Sequence, residues 1–161
     1  MALQYGTSTA LTITAGSLAS TAARSSAAVT SGTTNNSTDY LITVNVLSLS
    51  TAPSGNKQVV VYAYRSEDGT NYQGDSSTVD NVDGTDKALT ALGSPSNLTF
   101  LGTLQLNQGA VAATIRQVFS LSQAFGSIPP KWGIVLYNDQ GVSGTALGAT
   151  VTATYREVYY S

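Results

Sequence analysis

The sequence predicts an all-β protein: a two-sheet antiparallel β-sandwich, jelly-roll-like, with about eight strands and one long loop. Three observations predict it. Short β-branched and aromatic stretches alternate with polar residues at period two. Clusters of Gly, Pro, Asn, Asp and Ser separate them. No segment keeps a clean 3.6-residue apolar period, so no long helix is expected. At 161 residues the chain fits one domain, 1–161, and shows no repeat of solenoid or propeller length.

The elements follow in chain order. Segments 10–14 and 22–30 read as weak strands. Alanine would allow a helix across 17–29, but the Ser/Thr content and the missing helical period favour strand. Tyr40, Ile42, Val44 and Val46 alternate on one face of the next strand. Ser54-Gly55-Asn56 is a tight-turn signal leading into 57–65, whose unbroken Val-Val-Val-Tyr-Ala-Tyr run reads as a strand buried on both sides. Segments 98–104 and 114–121 are further weak strands. SQAFG offers a Ser cap and a Gly stop for one helical turn at Ser122–Phe125. Pro129 and Pro130 fix the entry to the strand 132–137, with Trp132, Ile134 and Leu136 inward. The last strand, 150–159, puts Val151, Ala153 and Tyr155 on one side.

The connection 66–97 is too long for an ordinary turn and rich in Asp, Gly, Ser, Thr and Asn. Jelly-roll order places it at one end of the sandwich with 31–39 and 122–131. That end is expected to be irregular, protruding and the place of partner contacts. The candidate contact residues there are Asn35 and Asn36, then Asp68, Asn71, Tyr72 and Asp83, then Phe125 and Trp132. Tyr159 and Tyr160 crowd the final strand, which ends Val-Tyr-Tyr-Ser; they are candidates for self-association. Tyr62, Tyr64 and Tyr137 are expected to pack, and a structural role suffices for Trp132.

Composition narrows function. The chain has no histidine and no cysteine, and only seven basic and nine acidic residues. General acid–base and nucleophilic catalysis at neutral pH rely on the missing groups. There is no G-x-S-x-G elbow, and adjacent Glu67 and Asp68 point to opposite faces of a strand, unlike a glycosidase pair. The run Asp80–Asp86 lacks the ligand spacing of a helix-loop-helix calcium site and reads as a solvated turn. Glu157 is expected to pair with Arg65, Arg116 or Arg156. No catalytic, cofactor-binding or metal-binding residue is therefore expected.

The scattered cations and net charge of −2 disfavour nucleic acid. No apolar run approaches a membrane span. Residues 1–23 lack the basic and apolar regions of a secretory leader and read as mature structure. Folding without disulfides fits a reducing cytoplasm. The Asn36 and Asn97 sequons carry no meaning without a secretory route.

Three stretches, ALQYGTSTALTITAGSLAS, VYAYRSEDGTNY and PPKWGIVLYND, resemble small virion structural proteins of tailed bacteriophages, of the head cement or decoration type. The resemblance covers most of the chain as a pattern of strands and turns. It implies a non-enzymatic protein made in the host cytoplasm and placed on the capsid surface. It further implies the major capsid protein as partner, and homo-oligomers, with a trimer favoured. The alternatives are a carbohydrate-binding or structural module of the tail or baseplate, using exposed Tyr or Trp132, and a minor head-completion protein.

Overall fold

The computed structural model describes residues 1–32, 37–47, 57–74, 78–94, 96–106, 114–140 and 146–161. The strands are β1 (Leu3–Tyr5), β2 (Thr9–Leu11), β3 (Ala23–Ser25), β4 (Val29–Thr30), β5 (Ser37–Leu47), β6 (Gln58–Ser66), β7 (Lys87–Ala88), β8 (Thr99–Gln105), β9 (Thr114–Ser120), β10 (Lys131–Asp139) and β11 (Val151–Tyr160); one short helix, α1, covers Leu121–Phe125. Every pairing is antiparallel.

Sheet I runs β1-β11-β5-β9, with β2 also on β11. Sheet II runs β7-β3-β10-β6-β8, with β4 also on β10. β1 with β2, and β3 with β4, each act as one interrupted strand. Setting β7 aside, the eight resulting strands lie in orders 1-8-3-6 and 2-7-4-5. That is the order of a long antiparallel hairpin rolled into two sheets, the jelly roll. The tip of the hairpin is the β6–β8 connection.

The principal core lies between the sheets. Ile42, Val44 and Val46 of sheet I meet Val59, Val61, Ile134 and Leu136 of sheet II, all inaccessible to solvent. Trp132 closes one end, fully buried, its ring centroid 5.2 Å from Tyr40 and 5.4 Å from Tyr155.

A second cluster covers the outer face of sheet II. Tyr64, Val135 and Ala23 point outward from the strands and meet Val82, Leu89 and Leu98 of the long connection. The expectation of a strand buried on both sides thus holds for β6. Tyr64 lies across Gly133, its cross-strand partner, where an added Cβ would stand 2.3 Å from the ring; its hydroxyl donates to the Ser26 carbonyl at 2.6 Å.

The long connection therefore does not simply protrude. It leaves the predicted end, where Lys131 Nζ donates to the Gly69 carbonyl and Ser31 N to the Pro130 carbonyl. It then folds back over sheet II and adds β7 beside β3. Apolar side chains on the outer face drive this path, because an antiparallel sheet buries only those faces that something covers.

Two polar devices hold the connection. Asp80 is fully buried with φ at +50°, and its carboxylate accepts from Gly93 N at 2.8 Å, Asn97 N at 2.9 Å and Ser96 Oγ at 3.0 Å. Asp86 accepts from Arg24 Nε at 2.6 Å and from Thr14 Oγ1 at 2.5 Å, tying the connection to β3. The run Asp80–Asp86 is thus an organised clamp rather than a solvated turn.

Three smaller expectations change. The cap of α1 is Ser120, which accepts from Gln123 N at 3.3 Å, and not Ser122; Gly126 ends the helix at φ 73°. Glu157 accepts from the Ser37 hydroxyl, since β11 places it opposite Tyr40, on the side away from Arg116 and Arg156. The Ser54-Gly55-Asn56 turn lies outside the described residues.

Removing the Asp80 carboxylate strands three donors in a closed pocket. Asp80→Ala is expected to lower unfolding free energy by roughly 1–3 kcal/mol in urea and to open 78–98 to proteolysis before the sheets unfold. Acid acts on the same segment. Burial raises the carboxyls of Asp83 and Asp86. For Asp83 the Lys87 ammonium and the Thr85 hydroxyl and amide outweigh it, bringing the group to about 2; for Asp86 the Arg24 and Thr14 bonds do so, and the net shift is downward. Depressed folded-state carboxyls contribute stability above the unfolded value, near pH ~4, and lose it as pH falls toward the folded one. Thermal midpoints should fall over that interval, and Asp86→Asn should start lower at neutral pH and lose less.

Candidate docking face

With most of sheet II's outer face under its own connection and Phe100 exposed at the edge, the outer face of sheet I is the broader strand surface left bare by the described residues. Its membership follows from alternation. On β5, Tyr40, Ile42, Val44 and Val46 are inward, so Leu41, Thr43 and Asn45 face out. Cross-strand partners share a face, which adds Arg116 and Val118 from β9 and Thr152, Thr154 and Arg156 from β11. Farther along β11, Val158 and Tyr160 stand opposite Tyr5 and Leu3 of β1. Val158 is buried yet belongs to neither apolar cluster, as expected for a residue shielded only by neighbours on this face.

The face is apolar and cationic. Leu3, Tyr5, Val118 and Tyr160 are each about half exposed and make up four of the six exposed large apolar residues among those described. A shallow hollow of about 210 Å³ lies at its centre, floored by Thr43, Thr154 and Val118 and edged by Arg116 and Arg156. Asp39, at the rim, is occupied: it accepts from Ser120 Oγ at 2.6 Å and Ser122 N at 2.8 Å. Tyr, Arg and aliphatic residues together, with no free carboxylate, have the composition of an interface centre.

The predicted contact residues do not converge. Asn35 and Asn36 lie outside the described residues. Asp68 caps its own turn, accepting from Thr70 N, Asn71 N and Asn71 Nδ2, and these bonds hold its carboxyl well below the usual range. Tyr72 packs edge-on against Tyr64, ring centroids 5.8 Å apart, and lies over Gly84. Asp83 pairs with Lys87 at 2.7 Å. Phe125 is half-buried beneath the Arg65 guanidinium, 5.2 Å from its centroid. Trp132 is wholly interior, so a partner cannot reach it. Tyr160 stands exposed on the bare face, whereas Tyr159 turns to the opposite side, beside Glu157 and Tyr40.

Sequence reasoning overlooked Leu3, Tyr5, Leu41, Val118, Arg116 and Arg156 as surface determinants. The signal that could find them is the outward phase of the same period-two pattern that identifies the core. Among the described residues no group of three or more acidic, His or Cys side chains is arranged to hold a metal, and no helix is long and apolar enough to cross a membrane.

Fold and face together define a jelly roll with one side largely covered by its own connection and one side that the described residues leave uncovered. No protein-family model matches the chain, and neither a curated protein nor a solved structure matches it.

The two sides should respond differently to truncation. Val118→Ser with Tyr160→Ser is expected to shift unfolding free energy by no more than about 1 kcal/mol. Trp132→Ala should cost about 3–5 kcal/mol. Urea titration of the two variants makes the comparison.

Proposed function

We propose that this protein is a non-enzymatic virion protein of a tailed bacteriophage, a cement or decoration protein that attaches to the major capsid protein lattice through the bare face of sheet I. The observation that carries the reading is the asymmetry of the sandwich: the chain's own connection covers much of one outer face, leaving Phe100 exposed at its edge, and the other presents Leu3, Tyr5, Val118, Tyr160 and two arginines. The resemblance of the sequence supplies the setting. The irregular end is set aside as the docking surface because Asp68, Tyr72, Asp83 and Phe125 are engaged within the chain.

The mechanism is mass action. A protein that binds the assembled shell and not its free subunits stabilises the shell, by about 2.7 kcal/mol per site at a hundredfold excess over Kd. Repetition over a symmetric lattice multiplies modest contacts. A trimer completes the reading, and sedimentation of the purified protein tests it.

A carbohydrate-binding role is the second reading, favoured by one feature. A hollow of about 370 Å³ opens between the sheets beside β2 and β4, lined by Tyr155, Tyr159, Glu157, Thr9 and Thr30. Tyrosine rings, a carboxylate and hydroxyls suit a polyhydroxylated ligand.

Reconstruction of purified virions tests the first reading. Regular density for this chain over the head surface is the expected result, weakened by Tyr5→Ser with Tyr160→Ser. Copies confined to the tail would refute it. Saturable glycan binding abolished by Tyr159→Ala would favour the second reading.

A further inference from the structure

We infer that the hollow between Arg116 and Arg156 binds carboxylates, and that its partner is an acidic segment of a different protein. The choice of a protein partner rests on the docking reading above; the carboxylate chemistry does not.

The argument starts from the cations. The chain has seven Lys and Arg residues. Arg24, Arg65 and Lys87 pair with Asp86, Glu67 and Asp83 at 2.6, 3.3 and 2.7 Å. Lys131 donates to the Gly69 carbonyl at 3.0 Å, and Lys57 to the Gln140 carbonyl. The guanidinium groups of Arg116 and Arg156 have no hydrogen-bond or ion-pair partner among the described residues. These two border the same hollow, on the sheet face that no described connection covers.

Their placement is not a matter of loop position. Arg116 stands opposite Asn45 on β9 and Arg156 opposite Leu41 on β11, so they flank the central strand β5 from both sides with Thr43 between. Strand pairing fixes both backbones. Leu41 and Val118 stand beside them and offer apolar contact to the stem of an acidic side chain. Guanidinium is weakly hydrated and grips carboxylate with a planar fork, and the Thr43 and Thr154 hydroxyls add neutral donors. Two cations on opposite edges suit a segment with two or more carboxylates.

A second copy of this chain is a poor source. Among its described carboxylates, Asp80 and Asp83 are bonded inside its own connection, Asp86 to Arg24 and Thr14, Asp39 to Ser120, Asp139 to Gln58 and Glu157 to Ser37, while Asp68 caps its own turn and Glu67 pairs with Arg65. A nucleic acid is also a poor source, because a phosphate backbone calls for a wider basic footprint on a less acidic protein.

The test is a titration of the full-length protein with acetyl-tetraglutamate amide at fixed ionic strength, followed by NMR at the arginine Nε–H groups and the backbone amides. Saturable shifts at Arg116, Arg156, Thr43 and Thr154 are expected. Arg116→Gln with Arg156→Gln, both at exposed positions, should weaken binding by at least about tenfold with an unchanged amide spectrum elsewhere. Tetraglutamine peptide should leave the arginines unmoved. The inference is overturned by no saturable shift, by equal shifts with tetraglutamine, or by binding retained in the double variant. Equal affinity for inorganic phosphate would overturn the commitment to an acidic protein segment. The two proposals fail separately: saturable peptide binding with no copies on heads sinks the docking reading alone, and decorated heads with unmoved arginines sink this one alone.

Discussion

The pairing of β6 with β10 is apolar on both faces, and the rest of the molecule answers to that. Inward, Val59, Val61, Ile134 and Leu136 require sheet I. Outward, Tyr64 and Val135 require a second cover, and only the β6–β8 connection is long enough to give one. Burying a large apolar side chain is worth roughly 1.5–3 kcal/mol, so ordering that many residues is offset only by a continuous cluster. Val82, Leu89 and Leu98 complete it. The clamps at Asp80 and Asp86 then prevent the cover from lifting, because each buried carboxylate has its donors only in the folded path.

Covering one side decides what the other can do. Six of the chain's nine acidic residues fall in the connection, and among the described ones Asp68, Asp80, Asp83 and Asp86 are tied up in ion pairs, buried hydrogen bonds and turn caps. Sheet I keeps a strand-built outer face whose exposed side chains are aliphatic, aromatic, hydroxyl or arginine. The difference arises from the fold order itself. The hairpin tip lies in sheet II, between β6 and β8, and its insertion can reach only the outer face of that sheet.

Much of this was legible in the alternation of the chain. Tyr40–Val46 and the strand from Trp132 show the inward phase because their inward residues are large and β-branched, and the two-sided run at 57–65 signals a sheet covered twice. What covers it was not legible. Val82, Leu89 and Leu98 are isolated apolar residues in a polar segment, with no period to mark them, and β7 is two residues long. Asp80 reads as a solvent residue until Gly93, Ser96 and Asn97 close around it, a contact between positions more than a dozen residues apart. The outer face of sheet I was hidden for another reason. Leu3, Tyr5 and Val118 sit in short or weak strands, where the outward phase cannot be assigned until the register with β11 and β5 is known.

The direction of the carboxylate shifts bears on the same division of labour. Asp68, Asp83 and Asp86 are all pushed down, by backbone amides, hydroxyls and cations aimed at the ionised form. A group poised to exchange a proton near neutrality needs the opposite shift, from desolvation or a like charge. These three are fixed as anions because an anion is what ties the connection to its own turn, to Lys87 and to Arg24. These three acids thus serve architecture, whereas the guanidinium groups of Arg116 and Arg156, across the sandwich, have no partner among the described residues. Carboxylates order the connection over sheet II and two guanidinium groups stand on the outer face of sheet I, so the described residues carry an electrostatic polarity from one side of the sandwich to the other.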